Sequence, residues 1–198
     1  YYASRGLGDV YKRQTFVHLN AATNLEYDVN NSKQRLVKLS GEAFFDVAKN
    51  PDCPFKVIIN DLQIEVVGTS FNVKTYKKDI VETSLLSGRI RISGGSLPHE
   101  YTLSPGQKAT YSAMDRTLRI SKADAHVEAG WRDNYLIFES TPLIDVIAQI
   151  ERWYGVEIRL HHKQIAQDLL SGSFRNESIQ NVIRSLSIQY GFKYEIHK

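Results

Sequence analysis

The chain has 198 residues, 42% of them hydrophobic, a formal charge of +3 at pH 7 and one cysteine, Cys53. That length holds one medium domain or two small ones with a real apolar core. A single thiol excludes an intrachain disulfide and suits cytosol and periplasm alike, and no run reaches the roughly 18 apolar residues of a membrane span. Basic residues are interspersed with acids, as in Lys77-Lys78-Asp79. Tracking nucleic-acid phosphates needs a concentrated basic face instead. The chain does not begin with Met and reads as a piece of something longer.

Residues 1–14 show neither helical nor strand periodicity and resemble a non-native, adapter-like leader, outside the fold. From Thr15 to about Lys122 short runs of Val, Ile, Thr and aromatics alternate with Gly, Pro, Asn and Asp, the mark of antiparallel β structure. The predicted strands are Phe16–Leu19, Glu26–Val29, Arg35–Ser40, Glu42–Val47, Phe55–Ile59 and Leu62–Val67, followed by Ser70–Tyr76, Ile80–Leu86, Arg89–Ser93, Tyr101–Leu103, Gln107–Tyr111 and Thr117–Ile120. Four joints, at Gly41, Gly68, Gly88 and Gly106, place glycine between apolar strand ends, where a positive φ or a bulge is cheapest. The pattern predicts a mainly β domain over 15–122, as a sandwich, a roll or a solenoid of short strands.

Residues 123–132 read as a linker or short helix, and Trp131 as the opening of a small α/β module over 133–198. That module carries a weak internal repeat at a spacing of 36 residues, Phe138 onward against Phe174 onward. Phe138/Phe174, Val146/Val182, Ile147/Ile183, Tyr154/Tyr190 and Gly155/Gly191 coincide. Leu143, Val146, Ile147, Ile150 and Tyr154 form one apolar helical stripe, and Ile179, Val182, Ile183, Leu186 and Tyr190 form another. Thr141 stands where a helix cap belongs with Pro142 in the first turn, and Asn176 or Ser178 does so in the second copy. Gly155 and Gly191 mark left-handed helix ends. Val156–Leu160 and Phe192–Ile196 then alternate with period two and are predicted as strands.

The chemistry of a catalytic or metal site is not found. His18, His99, His126, His161, His162 and His197 have no chelating spacing, and adjacent His161 and His162 would face opposite ways on a strand. Gly94-Gly95 has no following Gly-Lys-Ser/Thr and reads as a hairpin turn. Glu42 and Asp46 share a strand face, which reads as solvated rather than as a paired-carboxylate site. Ser70, Ser87 and Ser104 are in no nucleophile-elbow context. An enzyme, a metal site and a cofactor are therefore not expected. Trp153 lies off its helix stripe beside Arg152, which makes it a candidate interface residue.

Several motifs carry a family resemblance: Leu39-Ser-Gly-Glu-Ala-Phe-Phe-Asp-Val47, Pro54-Phe-Lys-Val57, Ile64-Glu-Val-Val-Gly-Thr-Ser-Phe-Asn-Val73, Leu85-Leu-Ser-Gly-Arg-Ile90 and Leu103-Ser-Pro-Gly-Gln-Lys-Ala-Thr-Tyr111. In this order they resemble the core of the FecR family, and His18–Tyr27 resembles the strand leading into it. Tyr135–Ile196 resembles the C-terminal domain of Bacteroidetes members, related to the secretin/TonB short N-terminal fold. The resemblance implies the periplasmic region of an anti-sigma factor, anchored to the inner membrane in the full-length protein. The resemblance implies that a short cytoplasmic domain, followed by one membrane helix and like it absent from this sequence, holds an extracytoplasmic-function sigma factor. The partner it implies for the periplasmic part is the N-terminal signalling domain of a TonB-dependent outer-membrane transporter. The expected contact is strand addition to Phe192–Ile196 or the face bearing Trp153, with Trp153, Phe192, Lys193, Tyr194 and Glu195 as candidate partner-binding residues. The alternative is a carbohydrate-binding or adhesive β domain with an exposed aromatic platform.

Overall fold

The computed structural model describes residues 2–3, 10–11, 15–27, 35–161 and 163–195. The chain divides into two compact units, Tyr1–Arg132 and Asp133–Lys198. In the first, the strands are β1 (Tyr2–Ala3), β2 (Val10–Tyr11), β3 (Thr15–Leu19), β4 (Thr23–Tyr27), β5 (Arg35–Ser40), β6 (Glu42–Val47) and β7 (Phe55–Ile59). They continue as β8 (Leu62–Val66), β9 (Thr69–Lys74), β10 (Ile80–Ser87), β11 (Ile90–Gly94), β12 (Tyr101–Leu103), β13 (Gln107–Ser112) and β14 (Thr117–Lys122). A short helix α1 (Ala125–Ala129) and a 3-10 turn at Gly130–Asp133 follow.

The strands form two seven-stranded sheets, ordered β1-β4-β5-β7-β8-β11-β12 and β14-β13-β10-β9-β6-β3-β2. In each, strands are laid down in chain order, so the chain crosses repeatedly from one sheet to the other as both grow together. Among the described pairings only β5–β7 is parallel. Phe55, Val57, Leu62, Ile64 and Ile90 from the first sheet share one core with Phe45, Phe71, Val73, Leu85 and Tyr111 from the second. Phe45 lies between Phe55 and Phe71, at ring-centroid distances of 5.8 and 5.0 Å. Period-two alternation drives this packing, because each strand turns one row of apolar side chains inward.

All four glycine joints fall where the chain changes sheet: Gly41 from β5 to β6, Gly68 from β8 to β9, Gly88 from β10 to β11 and Gly106 from β12 to β13. Gly41 shows why. Its φ is +114°, and a Cβ there would lie 2.5 Å from Thr23 Oγ1 and 2.7 Å from Thr23 Cα. Thr23 cannot withdraw, since its hydroxyl accepts from the Glu42 amide at 2.9 Å and donates to the Glu42 carbonyl at 3.1 Å.

Three expectations need correction. Val10–Tyr11, inside the segment read as a leader, pairs with Phe16 and Thr15 of β3, and Tyr2–Ala3 pairs with β4; runs of two residues are too short to show periodicity. Glu42 is not on a solvated face: it is 6% exposed, and it accepts from Asn20 Nδ2 at 2.7 Å and Asn72 Nδ2 at 2.9 Å. A buried carboxylate is tolerable only with such donors. Trp131 does not open the second module. Its indole donates to Asn72 Oδ1 at 3.2 Å, it is 7% exposed, and the Arg132 guanidinium lies 3.7 Å from the Phe44 ring centroid. α1 and the turn thus cover the outer face of β6 and β9, which explains why β6 is buried on both sides.

Two predictions follow from this packing. Gly41→Ala forces a Cβ into Thr23 at an unfavourable φ and should lower stability by about 3 kcal/mol in chemical denaturation. The second concerns Tyr111, whose buried hydroxyl donates to the Gly95 carbonyl across the sheets. Burial, and next the Asp61 carboxylate, raise the phenol above its ordinary value against an opposing pull from Arg116. Burial would depress the Lys108 ammonium, but Glu82 and Glu128 outweigh it and the net shift is upward. Both groups keep their protons in the fold after the unfolded chain has released them. Stability is therefore full below about pH 10 and falls as pH rises further. Tyr111→Phe should cost about 1 kcal/mol at neutral pH and show a shallower alkaline decline in urea unfolding.

Candidate partner-binding site

The second unit is built from β15 (Tyr135–Pro142), α2 (Leu143–Tyr154), β16 (Leu169–Arg175) and α3 (Ile179–Tyr190), with a 3-10 turn at Lys163–Gln167. β15 and β16 pair antiparallel, so the two copies of the repeat face each other. The repeat-mates Phe138 and Phe174 meet edge to face, 6.4 Å apart. Leu143, Val146, Ile147 and Ile150 of α2 are buried with Leu136, Phe138, Leu170, Val182 and Leu186. Gly155 and Gly191 close the helices at φ 65° and 68°, donating to the Glu151 and Ser187 carbonyls.

A further pair of matched positions carries the repeat. Ser140 and Asn176, also 36 residues apart, both have positive φ, 45° and 51°. In the first copy this residue makes the irregularity between Phe138 and Thr141 in β15; in the second it follows the last residue of β16. The side chains differ, so comparing residue types does not reveal it.

The predicted caps divide. Ser178 caps α3, accepting from the Asn181 amide at 3.2 Å. Thr141 does not cap α2: it is still paired with Leu170, and its hydroxyl bonds to Glu139. Pro142 takes the cap position without a side-chain bond, and the Leu143 amide donates to the Asp168 carbonyl at 2.8 Å. The residue preceding β16 thus satisfies an amide that a cap would otherwise serve.

The predicted strands Val156–Leu160 and Phe192–Ile196 are not strands over their described residues, and Ile196 lies outside those. A side chain from the last turn of each helix takes one backbone group of the segment that follows. Glu151 Oε1 accepts from the Ile158 amide at 2.7 Å, and Ser187, its repeat-mate, donates to the Phe192 carbonyl. The alternation in Ile158 and Leu160 is nonetheless expressed as burial, since both pack on the core while Glu157 and Arg159 stay exposed. Period two reports one-sided burial, and a ladder is only one way to achieve it.

Of the candidate residues, Trp153 and Phe192 are half-buried and pack against the same core cluster. Lys193, Tyr194 and Glu195 are exposed. Tyr194 is 41% exposed, although alternation from Phe192 assigns it to the inner face. The aromatic tail therefore has a rooted end at Phe192 and a solvent-facing end at Tyr194. Sequence reasoning missed the exposed apolar residues Leu169 and Ile188, 60% and 76% exposed. Ile188 lies off the α3 stripe, which is a signal for it. Among the described residues no group of three His, Cys, Asp or Glu side chains could hold a metal, and no helix is long and apolar enough to cross a membrane.

The model of the FecR protein family matches residues 10–91, and that of the FecR C-terminal domain matches residues 135–198. The chain belongs to the FecR family. It therefore belongs with regulatory proteins of the anti-sigma-factor kind, and not with enzymes. The chain is similar to two crystal structures of a candidate anti-sigma factor from Parabacteroides distasonis ATCC 8503, at 1.65 and 2.50 Å resolution. Each is 28% identical with a TM-score of 0.87, covering 100% of this chain and 93% or 92% of theirs. No curated protein matches.

Glu151→Ala removes the acceptor for the Ile158 amide. Hydrogen exchange of that amide should quicken about tenfold, with about 1 kcal/mol lost from the unit; unchanged exchange would show that core packing alone holds the segment.

Proposed function

We propose that this chain is the periplasmic signal-receiving region of a transmembrane anti-sigma factor. It relays the status of a TonB-dependent outer-membrane transporter to an extracytoplasmic-function sigma factor. The observation that carries the reading is the pair of FecR-family matches, in order, one within each compact unit. In this reading the sigma factor is held by a cytoplasmic segment other than the two units described, and the chain works in the periplasm.

The receiver is the second unit, and its partner is the N-terminal signalling domain of the transporter. Phe192–Glu195 offers backbone outside any ladder, which an incoming strand can pair with, while side chains set register. Tyr194 is the exposed aromatic anchor, Lys193 and Glu195 flank it, and Phe192 and Trp153 fix the segment to the core.

Tyr194→Ala leaves the core untouched and should weaken binding to the cognate signalling domain by about tenfold or more in calorimetry. Trp153→Ala should weaken it too, with a fall in melting temperature because Trp153 also packs inward. Unchanged affinity in a folded Tyr194→Ala protein would remove the tail from the interface.

A further inference from the structure

We infer that the free edge of β14 is a second docking surface, one that takes an extended polypeptide segment of alternating acidic and apolar residues. β14 ends its sheet and pairs with β13 in unbroken register over all six residues, Thr117↔Ser112 to Lys122↔Gln107. Its other edge has no partner among the described residues. Sheet ends are ordinarily guarded by short strands, bulges or a covering element. The end strand β12 has three residues, whereas β14 has six, and all but Leu118 are exposed.

The charge on this edge has one sign. Arg116, Arg119 and Lys122 fall within seven residues that contain no acid. The nearest acids are engaged, Asp115 with Ser112 and Asp124 with the His126 amide. Arg119 and Lys122 have no ion pair among the described residues, while Lys108 on β13 is held by Glu82 and Glu128 at 3.4 and 2.7 Å. The two faces of β14 differ as well. Leu118 and Ile120 lie beside Tyr111 and Ala109, and Arg119 lies beside Thr110; Ile120 is 42% exposed. An added strand would therefore meet Arg119 on one face and the exposed aliphatic Ile120 on the other, with Lys122 closing the Ile120 face at the end of the strand.

Acidic residues at every second position meet Arg119 and the apolar ones between meet Ile120, while the main chain completes the ladder and the segment's net negative charge suits Lys122 at the strand end. A second copy of this chain is a poor occupant, because two antiparallel β14 edges would place Arg119 of both copies on one face and Lys122 of both on the other, like charge beside like on each. Nucleic acid offers no backbone groups to a strand edge. This surface lies in the first unit and is independent of the tail around Tyr194.

The test uses the full chain and three probes: a capped eight-residue peptide alternating glutamate and valine, its lysine counterpart, and phosphatidylglycerol vesicles. Residue-resolved hydrogen exchange should slow about tenfold in β14 with the acidic peptide alone, and less so as salt rises. The double variant Arg119→Glu/Lys122→Glu, whose changed side chains are exposed, should keep its melting temperature and reverse the preference to the lysine peptide. Equal response to both peptides, no slowing in β14, or equal protection by the vesicles would overturn the inference. The first two outcomes would mean that the cations only guard the edge, and the third that they bind anionic lipid.

Discussion

The β unit depends on one constraint: a single core must be enclosed by two sheets that the chain builds simultaneously. As both sheets grow, the chain turns corners over the edge of the core, and at Gly41, Gly68 and Gly88 the turn leaves no room for a side chain, whereas at Gly106 the space is open. Gly41 against Thr23 is the clearest instance. The Thr23 hydroxyl bonds to both backbone groups of Glu42, so the corner is fixed from outside and no Cβ can be admitted. Gly88 repeats the geometry at the other end of the unit, where a Cβ would meet the Gly68 carbonyl and Thr69 Oγ1 at 2.6 and 2.8 Å. Gly88 thus packs against Gly68 and the start of β9, and at Gly41, Gly68 and Gly88 the Gly signature marks close-packed corners of the enclosure.

Covering the outer face of β6 and β9 is a separate problem with a polar solution. Glu42 collects donors from Asn20 and Asn72, and Asn72 in turn accepts from Trp131. Every link is between groups that burial would penalise if left unmatched. The result ties the last turn of the first unit to its own sheet, immediately before the chain enters the second unit. The second unit is finished less completely: α2 buries Leu143, Val146, Ile147 and Ile150 of its stripe, whereas α3 buries only Val182 and Leu186. An incompletely covered module with an exposed aromatic tail suits a receiver better than a self-contained domain does.

The sequence made the strands of the β unit legible because each has one apolar face, and alternation records that directly. Helices α2 and α3 were legible for the same reason at period 3.6, and Gly155 and Gly191 because left-handed helix ends favour glycine. What stayed hidden depends on partners far apart in the chain. Thr141 resembles a cap, but Asp168 supplies the needed carbonyl. Glu42 looks solvated until Trp131, distant in sequence, covers Asn72 beside it. Val156–Leu160 looks like a strand, since one-sided burial has the same period whether or not a ladder forms. Trp153, Phe192 and Tyr194 were visible as an aromatic cluster, but only the structure separates the rooted residues from the exposed one.

The central claim is that the second unit receives the transporter's signal. Hydrogen exchange of the whole chain, with and without the N-terminal signalling domain of its proposed TonB-dependent transporter partner, tests this most directly. The account predicts slower exchange in the second unit, strongest from Phe192 to Glu195, with the glycine corners of the β unit unchanged. Protection confined to the β unit, or none at saturating signalling domain, would contradict it.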